Sequence, residues 1–122
     1  MELTEIQVTR IKEILHQWHE YGRAEFEREY TNLDYDSPMY TKSYRVGEKY
    51  IHLLNGTSGA FMVEVATGIV YEIKGWGVPN KRKIVGEAWK PTFNGAQLAD
   101  CRYIRGSYDN RAHLWVPKEA QP

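Results

Sequence analysis

Residues 4–26 read TEIQVTRIKEILHQWHEYGRAEF, and this stretch decides the fold. Thr4 and Gln7 form the pattern of a capping box, in which a hydroxyl and an amide satisfy each other's backbone donors, so we expect a helix to begin there. The apolar residues that follow recur at steps of three and four, as on one helix face; they are Val8, Ile11, Leu15, Trp18, Gly22 and Phe26, with Ile14 and Tyr21 beside them. The pattern predicts a long amphipathic helix within residues 1–30, ending near Arg28 or Tyr30.

The composition is typical of a folded globular protein. The chain has 122 residues, 42% hydrophobic and 26% charged, with 16 basic and 16 acidic residues, which predicts a single domain over 1–122. The longest apolar stretch, residues 60–63, is far shorter than the roughly 20 residues of a membrane span, and the first twenty residues lack a signal-peptide core. One cysteine, Cys101, excludes an internal disulfide. We therefore expect a cytoplasmic protein without membrane contact.

The rest of the chain predicts strands. Residues 31–42 are rich in Asn, Asp, Ser and Pro and predict a turn-rich connector, followed by a β-rich body over 43–116 and a tail over 117–122. The clearest hairpin joins Gly59–Val65 to Ile69–Lys74 through Ala66-Thr67-Gly68, where glycine suits a positive φ. Further predicted strands are Ser43–Val46 with Lys49–Leu54, as one interrupted strand or a short pair, then Lys83–Trp89, and Arg102–Ile104 with His113–Val116. The predicted fold class is α+β, with one long N-terminal amphipathic helix packed on a small, mainly antiparallel sheet.

The charges are unevenly distributed along the chain. Residues 1–36 hold nine acids and four bases, whereas residues 37–122 hold seven acids and twelve bases. This asymmetry predicts a dipolar surface. The acidic helix could dock on the basic body within one chain or across a dimer, or the basic body could bind nucleic acid. Because the predicted helix is long for so small a domain, we expect a homodimer or a higher oligomer.

Residues 74–83, KGWGVPNKRK, predict a ligand-facing loop. Two glycines around Trp76 let the backbone turn and hold the indole outward, although Trp76 could instead fold back as a core plug. An aromatic platform beside basic side chains suits a nucleobase and its phosphates. The candidate ligand-binding residues in this region are Tyr71, Lys74, Trp76, Asn80, Lys81, Arg82 and Lys83. A second basic and aromatic cluster, Arg102, Tyr103 and Arg105, suits a phosphate-bearing ligand and a dimer interface equally.

The sequence contains no complete catalytic or cofactor motif. It lacks the nucleophile elbow, the phosphate-binding loop and the dinucleotide-binding glycine pattern, so we predict a non-enzymatic protein without a cofactor. His16 and His19 lie three residues apart on the predicted helix, but no third ligand is identifiable, so no metal site is predicted. Asp34 and Asp36 resemble a carboxylate pair, yet they lie in the connector, where turn roles are common.

The central hairpin and its loop resemble a pattern found in small uncharacterised phage and mobile-element proteins. The pattern is a strand, a Thr-Gly turn, a Val-Tyr strand and a Trp-x-x-Pro loop, here residues 60–64, 67–71 and 75–79 with Lys81, about 25 of 122 residues. The lysine that follows the strand in that family corresponds to Lys74, whereas Gly75, Gly77 and the long helix depart from the usual form. The resemblance implies a phage-like origin, a location in the host cytoplasm and a role against host defence.

Three functions follow as expectations. The first is a binding module that engages an anionic partner, either a nucleotide signal or a nucleic acid, through the basic aromatic loop. The second is an inhibitor that contacts a host protein through the acidic helix. The third is a small nucleotide hydrolase that depends on Asp34 or Asp36.

Overall fold

The long helix forms where the capping box predicts it. The computed structural model describes residues 2–99, 107–109 and 114–116, the last two ranges as backbone only. Helix α1 (Glu5–Glu29) begins after Thr4, whose hydroxyl accepts the Gln7 N–H at 3.1 Å while the Gln7 side chain accepts the Thr4 N–H at 3.0 Å. Six residues of its apolar stripe are buried, namely Ile11, Ile14, Leu15, Trp18, Gly22 and Phe26. The predicted helix is therefore confirmed in place and in its buried face.

Five consecutive strands form one antiparallel sheet. They are β1 (Lys42–Val46), β2 (Tyr50–Asn55), β3 (Ser58–Glu64), β4 (Ile69–Gly75) and β5 (Val78–Glu87), and they lie in chain order. Strands β1 and β5 are therefore the opposite edges. This arrangement confirms the α+β class. Residues 43–54, predicted as one interrupted strand or a short pair, form the pair β1 and β2.

Alternation along the strands separates an inner face from an outer face. The inner face packs on α1, and its centre is the edge-to-face contact of Trp18 with Phe61, whose ring centroids lie 5.4 Å apart. Around this contact the structure buries Ile51, Leu53, Val63, Val70 and Val85. The outer face carries the row in which β2 His52, β3 Met62 and β4 Tyr71 are register partners.

The β3–β4 hairpin agrees with its prediction, whereas the β4–β5 hairpin does not. Gly68 adopts a φ of 79°, as its place after Ala66-Thr67 predicted. Strand β4 continues to Gly75 and β5 begins at Val78, so the predicted loop over 74–83 is only a two-residue turn followed by strand. The predicted strand Lys83–Trp89 consequently begins five residues earlier and ends at Glu87.

The connector covers the end of the helix. The Phe26 ring lies 5.0 Å from the Tyr30 ring, 4.8 Å from Tyr35 and 4.6 Å from Tyr40, between centroids. A short 3-10 turn over Pro38–Tyr40 brings the last of these rings into place. The far end of the apolar stripe is thus buried within the chain, so the length of the helix gives no reason of its own for a second copy.

The remaining described elements are short. Helix α2 (Ala96–Ala99) packs on α1, and strands β6 (Ser107–Asp109) and β7 (Leu114–Val116) pair with each other near β5. Strand β7 lies within the predicted strand His113–Val116, whereas Arg102–Ile104 fall outside the described residues. In the part of the chain that the structure describes, no helix has the length and the apolar character that a membrane span requires.

Candidate functional site

Trp76 lies in the turn between β4 and β5 and folds back over the outer face. Its ring stacks on the His52 ring, with centroids 5.5 Å apart and planes 19° from parallel. A Cβ added to Gly59 would lie 2.9 Å from Trp76 Cε3, so the absence of a side chain at residue 59 makes room for the indole. The Trp76 side chain nevertheless remains 56% exposed. It is therefore neither free in solvent nor a core plug, because the sheet holds it on one side and leaves it accessible on the other.

Strand β5 leaves its regular register with β4 just after the turn. Ile73 pairs with Pro79 and Tyr71 pairs with Ile84, so five steps along β5 correspond to two along β4. Four β5 residues, 80–83, thus lie opposite one β4 residue, Glu72, and this excess of three residues forms a bulge that displaces the backbone out of the ladder. We refer to residues 80–83, which make up this segment, as the basic bulge.

The basic bulge carries exposed positive charge. Lys81, Arg82 and Lys83 are exposed, as is Lys74 at the end of β4. Among residues 2–99, none of these four forms a salt bridge. Asn80 has a local role, since its Oδ1 accepts the Arg82 N–H at 3.2 Å and so shapes the bulge. The four cations and the exposed indole therefore belong to one hairpin.

Tyr71, one of the predicted ligand-binding residues, is buried rather than exposed. Its side chain is only 6% exposed and meets the Tyr50 ring edge-on, with centroids 6.5 Å apart. Burial raises the pKa of the Tyr71 phenol, with smaller contributions from Glu64 and Tyr50. Tyr71 thus lies buried within the outer-face row beside Met62, because β4 is an interior strand of the sheet. The predicted residues Arg102, Tyr103 and Arg105 lie outside the described residues.

A second polar cluster, which the sequence analysis did not identify, joins α1 to the connector and β1. The Lys42 ammonium donates to the Tyr40 carbonyl at 2.9 Å and lies 3.3 Å from both the Tyr35 hydroxyl and His19 Nδ1. It also lies 4.8 Å from the Tyr35 ring centroid and 5.2 Å from that of Trp18. These acceptors and rings favour the charged amine, whereas burial opposes it and lowers the pKa of Lys42 to about 8.

His19 is held in one tautomer by its two neighbours. Because the Lys42 ammonium can only donate, Nδ1 must accept, and the ring proton is on Nε2, which faces Asp36 Oδ1 at 3.3 Å. Burial lowers the pKa of His19, although the hydrogen bond to Asp36 acts in the opposite direction. Both ring nitrogens are engaged, so His19 has no lone pair to offer a metal. Within the described residues, no group of three or more His, Cys, Asp or Glu side chains could hold a metal ion.

Asp36 and Asp34 stabilise the connector through hydrogen bonds to α1 and within the connector itself. Two guanidinium nitrogens of Arg23 donate to Asp36, at 2.7 and 3.0 Å. This bidentate contact and the hydrogen bond from His19 lower the pKa of Asp36 to about 2. Asp34 Oδ1 accepts the Asp36 N–H at 3.0 Å, as in an Asx turn. The two carboxylates therefore have separate structural partners, which is not the arrangement of a pair sharing a substrate.

Several carboxylates of the acidic helix are paired with arginines of the same helix. Salt bridges join Glu13 to Arg10 at 2.7 Å, Glu20 to Arg23 at 3.1 Å, and Glu25 to Arg28 at 2.9 Å. Such exposed pairs contribute little to stability. They do reduce the negative field that α1 presents to a partner.

The sequence matches no protein-family model and no curated protein, and the fold matches no solved structure. The resemblance of the central hairpin to phage proteins therefore remains a prediction.

Proposed function

We propose that this protein is a non-enzymatic binding module that engages a nucleotide or a single-stranded nucleic acid through the β4–β5 hairpin. The observation that carries the proposal is the stack of Trp76 on His52 beside the exposed cations of the basic bulge, which form no salt bridge within residues 2–99. A fixed aromatic surface beside unpaired positive charge is the arrangement that binds bases and phosphates without sequence readout. The resemblance to phage proteins favours a cytoplasmic nucleotide signal of the host as the biological ligand.

The two halves of the hairpin would act on different parts of the ligand. A base would stack on the exposed part of Trp76, which contributes about 1–3 kcal/mol per base in proteins of this kind. Lys81, Arg82 and Lys83 would pair with phosphates through charge. Trp76 and Lys81 are five residues apart, at most about 17 Å along an extended strand. One short strand of nucleic acid could therefore contact both.

Pre-organisation by the sheet supports this assignment. The indole rests on His52 and on the space at Gly59, so binding need not immobilise a free side chain. Asn80 fixes the backbone of the basic bulge through its hydrogen bond to Arg82. By contrast, the arginine pairs of α1 give no support to a contact through the acidic helix.

The experiment is a titration of fluorescently labelled oligothymidylate and oligouridylate at low salt, followed by anisotropy, with calorimetric titrations of mononucleotides and cyclic nucleotides. We expect Trp76→Ala to weaken binding by about fivefold to 150-fold, which corresponds to the loss of one stacked base. Val78→Ala removes another exposed side chain next to the same turn and is the matched control. The charge reversal Glu25→Lys, Glu27→Lys, Glu29→Lys is expected to leave this binding intact. Absence of binding to every one of these ligands, or equal losses with Trp76→Ala and Val78→Ala, would contradict the proposal.

A further inference from the structure

We infer that a groove between α1 and the start of β1 binds a small phosphate-bearing anion. The groove has a volume of about 300 Å³. Its lining consists of Lys12, Leu15, His16, His19, Thr41 and Lys42. The inference does not depend on the proposed function, because the groove adjoins β1 and the basic bulge belongs to β5. These opposite edges are separated by four strand spacings, roughly 19 Å.

The lining contains two ammonium groups, those of Lys12 and Lys42, and two imidazoles, and none of its six residues carries a carboxylate. The positive charge comes from the ammonium groups, because burial lowers the pKa of His19. Asp36, which faces the far nitrogen of His19, is already bonded to Arg23 by two hydrogen bonds. Glu20, whose charge also acts on His16 and His19, is likewise bonded to Arg23. The ammonium groups of Lys12 and Lys42 therefore dominate the field in the groove, which favours an anion.

Lys12 and His16 supply the donors that a ligand would use. Both side chains are exposed, and within residues 2–99 neither forms a hydrogen bond or a salt bridge. They are four residues apart on α1, which places their Cβ atoms about 5–6 Å from each other on the same face. One phosphoryl group could thus accept hydrogen bonds from both.

Lys42 contributes charge rather than a direct bond. Its ammonium is already bonded or close to the Tyr40 carbonyl, the Tyr35 hydroxyl and His19, so it has no donor left for a ligand. The side chain is partly buried, where charge is screened less than in water. Lys42 thus strengthens the positive field of the groove while its ammonium keeps its contacts with Tyr40, Tyr35 and His19.

The charge of the lining selects the ligand class. A phosphate or phosphomonoester carries about 1.5 to 2 negative charges near pH 7, which matches the two ammonium groups better than a single carboxylate does. Lysine binds phosphate as a point charge and imposes no planar geometry. We therefore assign the groove to inorganic phosphate or the terminal phosphate of a small metabolite.

The test follows the imidazole signals of His16 and His19 by NMR during titration with inorganic phosphate, at constant pH and with sodium chloride holding the ionic strength constant. We expect both signals to shift along one saturable curve. In the variant Lys12→Ala, His16→Ala, followed at His19, the affinity should fall at least tenfold. Since both replaced side chains are exposed, the thermal unfolding midpoint should stay near that of the wild type, which verifies the fold.

Two controls separate this site from the hairpin. The variant Lys49→Ala lacks an exposed lysine outside the groove. The triple variant Lys81→Ala, Arg82→Ala, Lys83→Ala lacks the charges of the basic bulge. Both variants should bind phosphate as the wild type does. A parallel titration with glycerol phosphate distinguishes the sources: binding of both ligands identifies a phosphomonoester site, and binding of inorganic phosphate alone identifies a site for the free anion. Unsaturable or absent shifts at His16 and His19, or unchanged affinity in the Lys12 and His16 variant, would overturn the inference.

Discussion

Trp76 stacks on His52 with the two rings 19° from parallel, and Gly59 provides the space that this stack needs. The contact joins a hairpin turn to a strand of the same sheet, so it fixes an exposed aromatic ring without burying it. A surface ring held in this way is ready for a ligand, which is the basis of the first prediction.

Gly59→Ala should displace the indole. The added Cβ would lie 2.9 Å from Trp76 Cε3, closer than atoms in van der Waals contact, so the ring must move off His52. We expect the indole N–H signal of Trp76 to shift in the NMR spectrum and oligonucleotide affinity to fall about fivefold or more, the low end of the loss of a stacked base. Gly75→Ala is the matched control, since nothing lies within 4 Å of its added Cβ; equal effects of the two substitutions would contradict this role.

Acid stability should depend on Asp36. The pKa of this carboxyl is about 2 in the folded protein and 3.8 ordinarily, because Arg23 and His19 hydrogen-bond to it. Its contribution to the free energy of unfolding is therefore present above pH 4 and is lost as the pH falls towards 2. In urea unfolding at a series of pH values, the free energy of unfolding of the Asp36→Asn variant should decline less between pH 4 and pH 2 than that of the wild type. Glu29→Gln, which removes an exposed carboxylate outside the salt bridges described for residues 2–99, should leave the decline unchanged.

Stability at alkaline pH should depend on Lys42, because burial disfavours the charged form of this side chain. Burial lowers its pKa to about 8 from 10.5, so between these values the unfolded chain binds more protons than the folded one. The free energy of unfolding should consequently rise with pH over this window. Lys42→Met should remove that rise and Lys49→Met should keep it, as measured by chemical unfolding at pH 8 to 10.5. Identical pH profiles for the two variants would show that Lys42 is not the titrating group.

The core contact between α1 and the sheet should dominate stability. Phe61 is 1% exposed and packs edge-on against Trp18, so Phe61→Ala should lower the free energy of unfolding by about 3–5 kcal/mol. Val78→Ala, at an exposed position, should change it by less than about 0.5 kcal/mol. Urea denaturation of both variants provides the measurement, and a loss below about 1 kcal/mol for Phe61→Ala would contradict the described core.

Local sequence signals predicted most of the fold. The capping box of Thr4 and Gln7 and the apolar stripe of α1 depend on residues at most four apart. The start of the helix and its buried face could therefore be predicted from the sequence. The turn at Gly68 is local in the same way. The extent of β5 could not be predicted from the sequence, because a bulge depends on how two strands align. Pro79 and the glycines around Trp76 indicated a loop instead.

The candidate site could be predicted only in part. Basic residues beside Trp76 marked the hairpin, but burial of Tyr71 depends on its place in the completed sheet. The contacts of Lys42 with His19 and Tyr35 could not be found from sequence, because the connector brings these residues together only once α1 and β1 are in place. The only signal in that region was the clustering of tyrosines and turn-forming residues after the helix.

The most direct test of the central claim is the salt dependence of oligonucleotide binding. For single strands, the slope of log affinity against log salt concentration is about −0.7 per phosphate contact. Replacing Lys81, Arg82 and Lys83 with alanine should therefore lower the magnitude of the slope by about 2 relative to the wild type, whereas Lys49→Ala should leave it unchanged. An equal slope for the wild type and the triple variant, or no measurable binding by the wild type, would contradict the account.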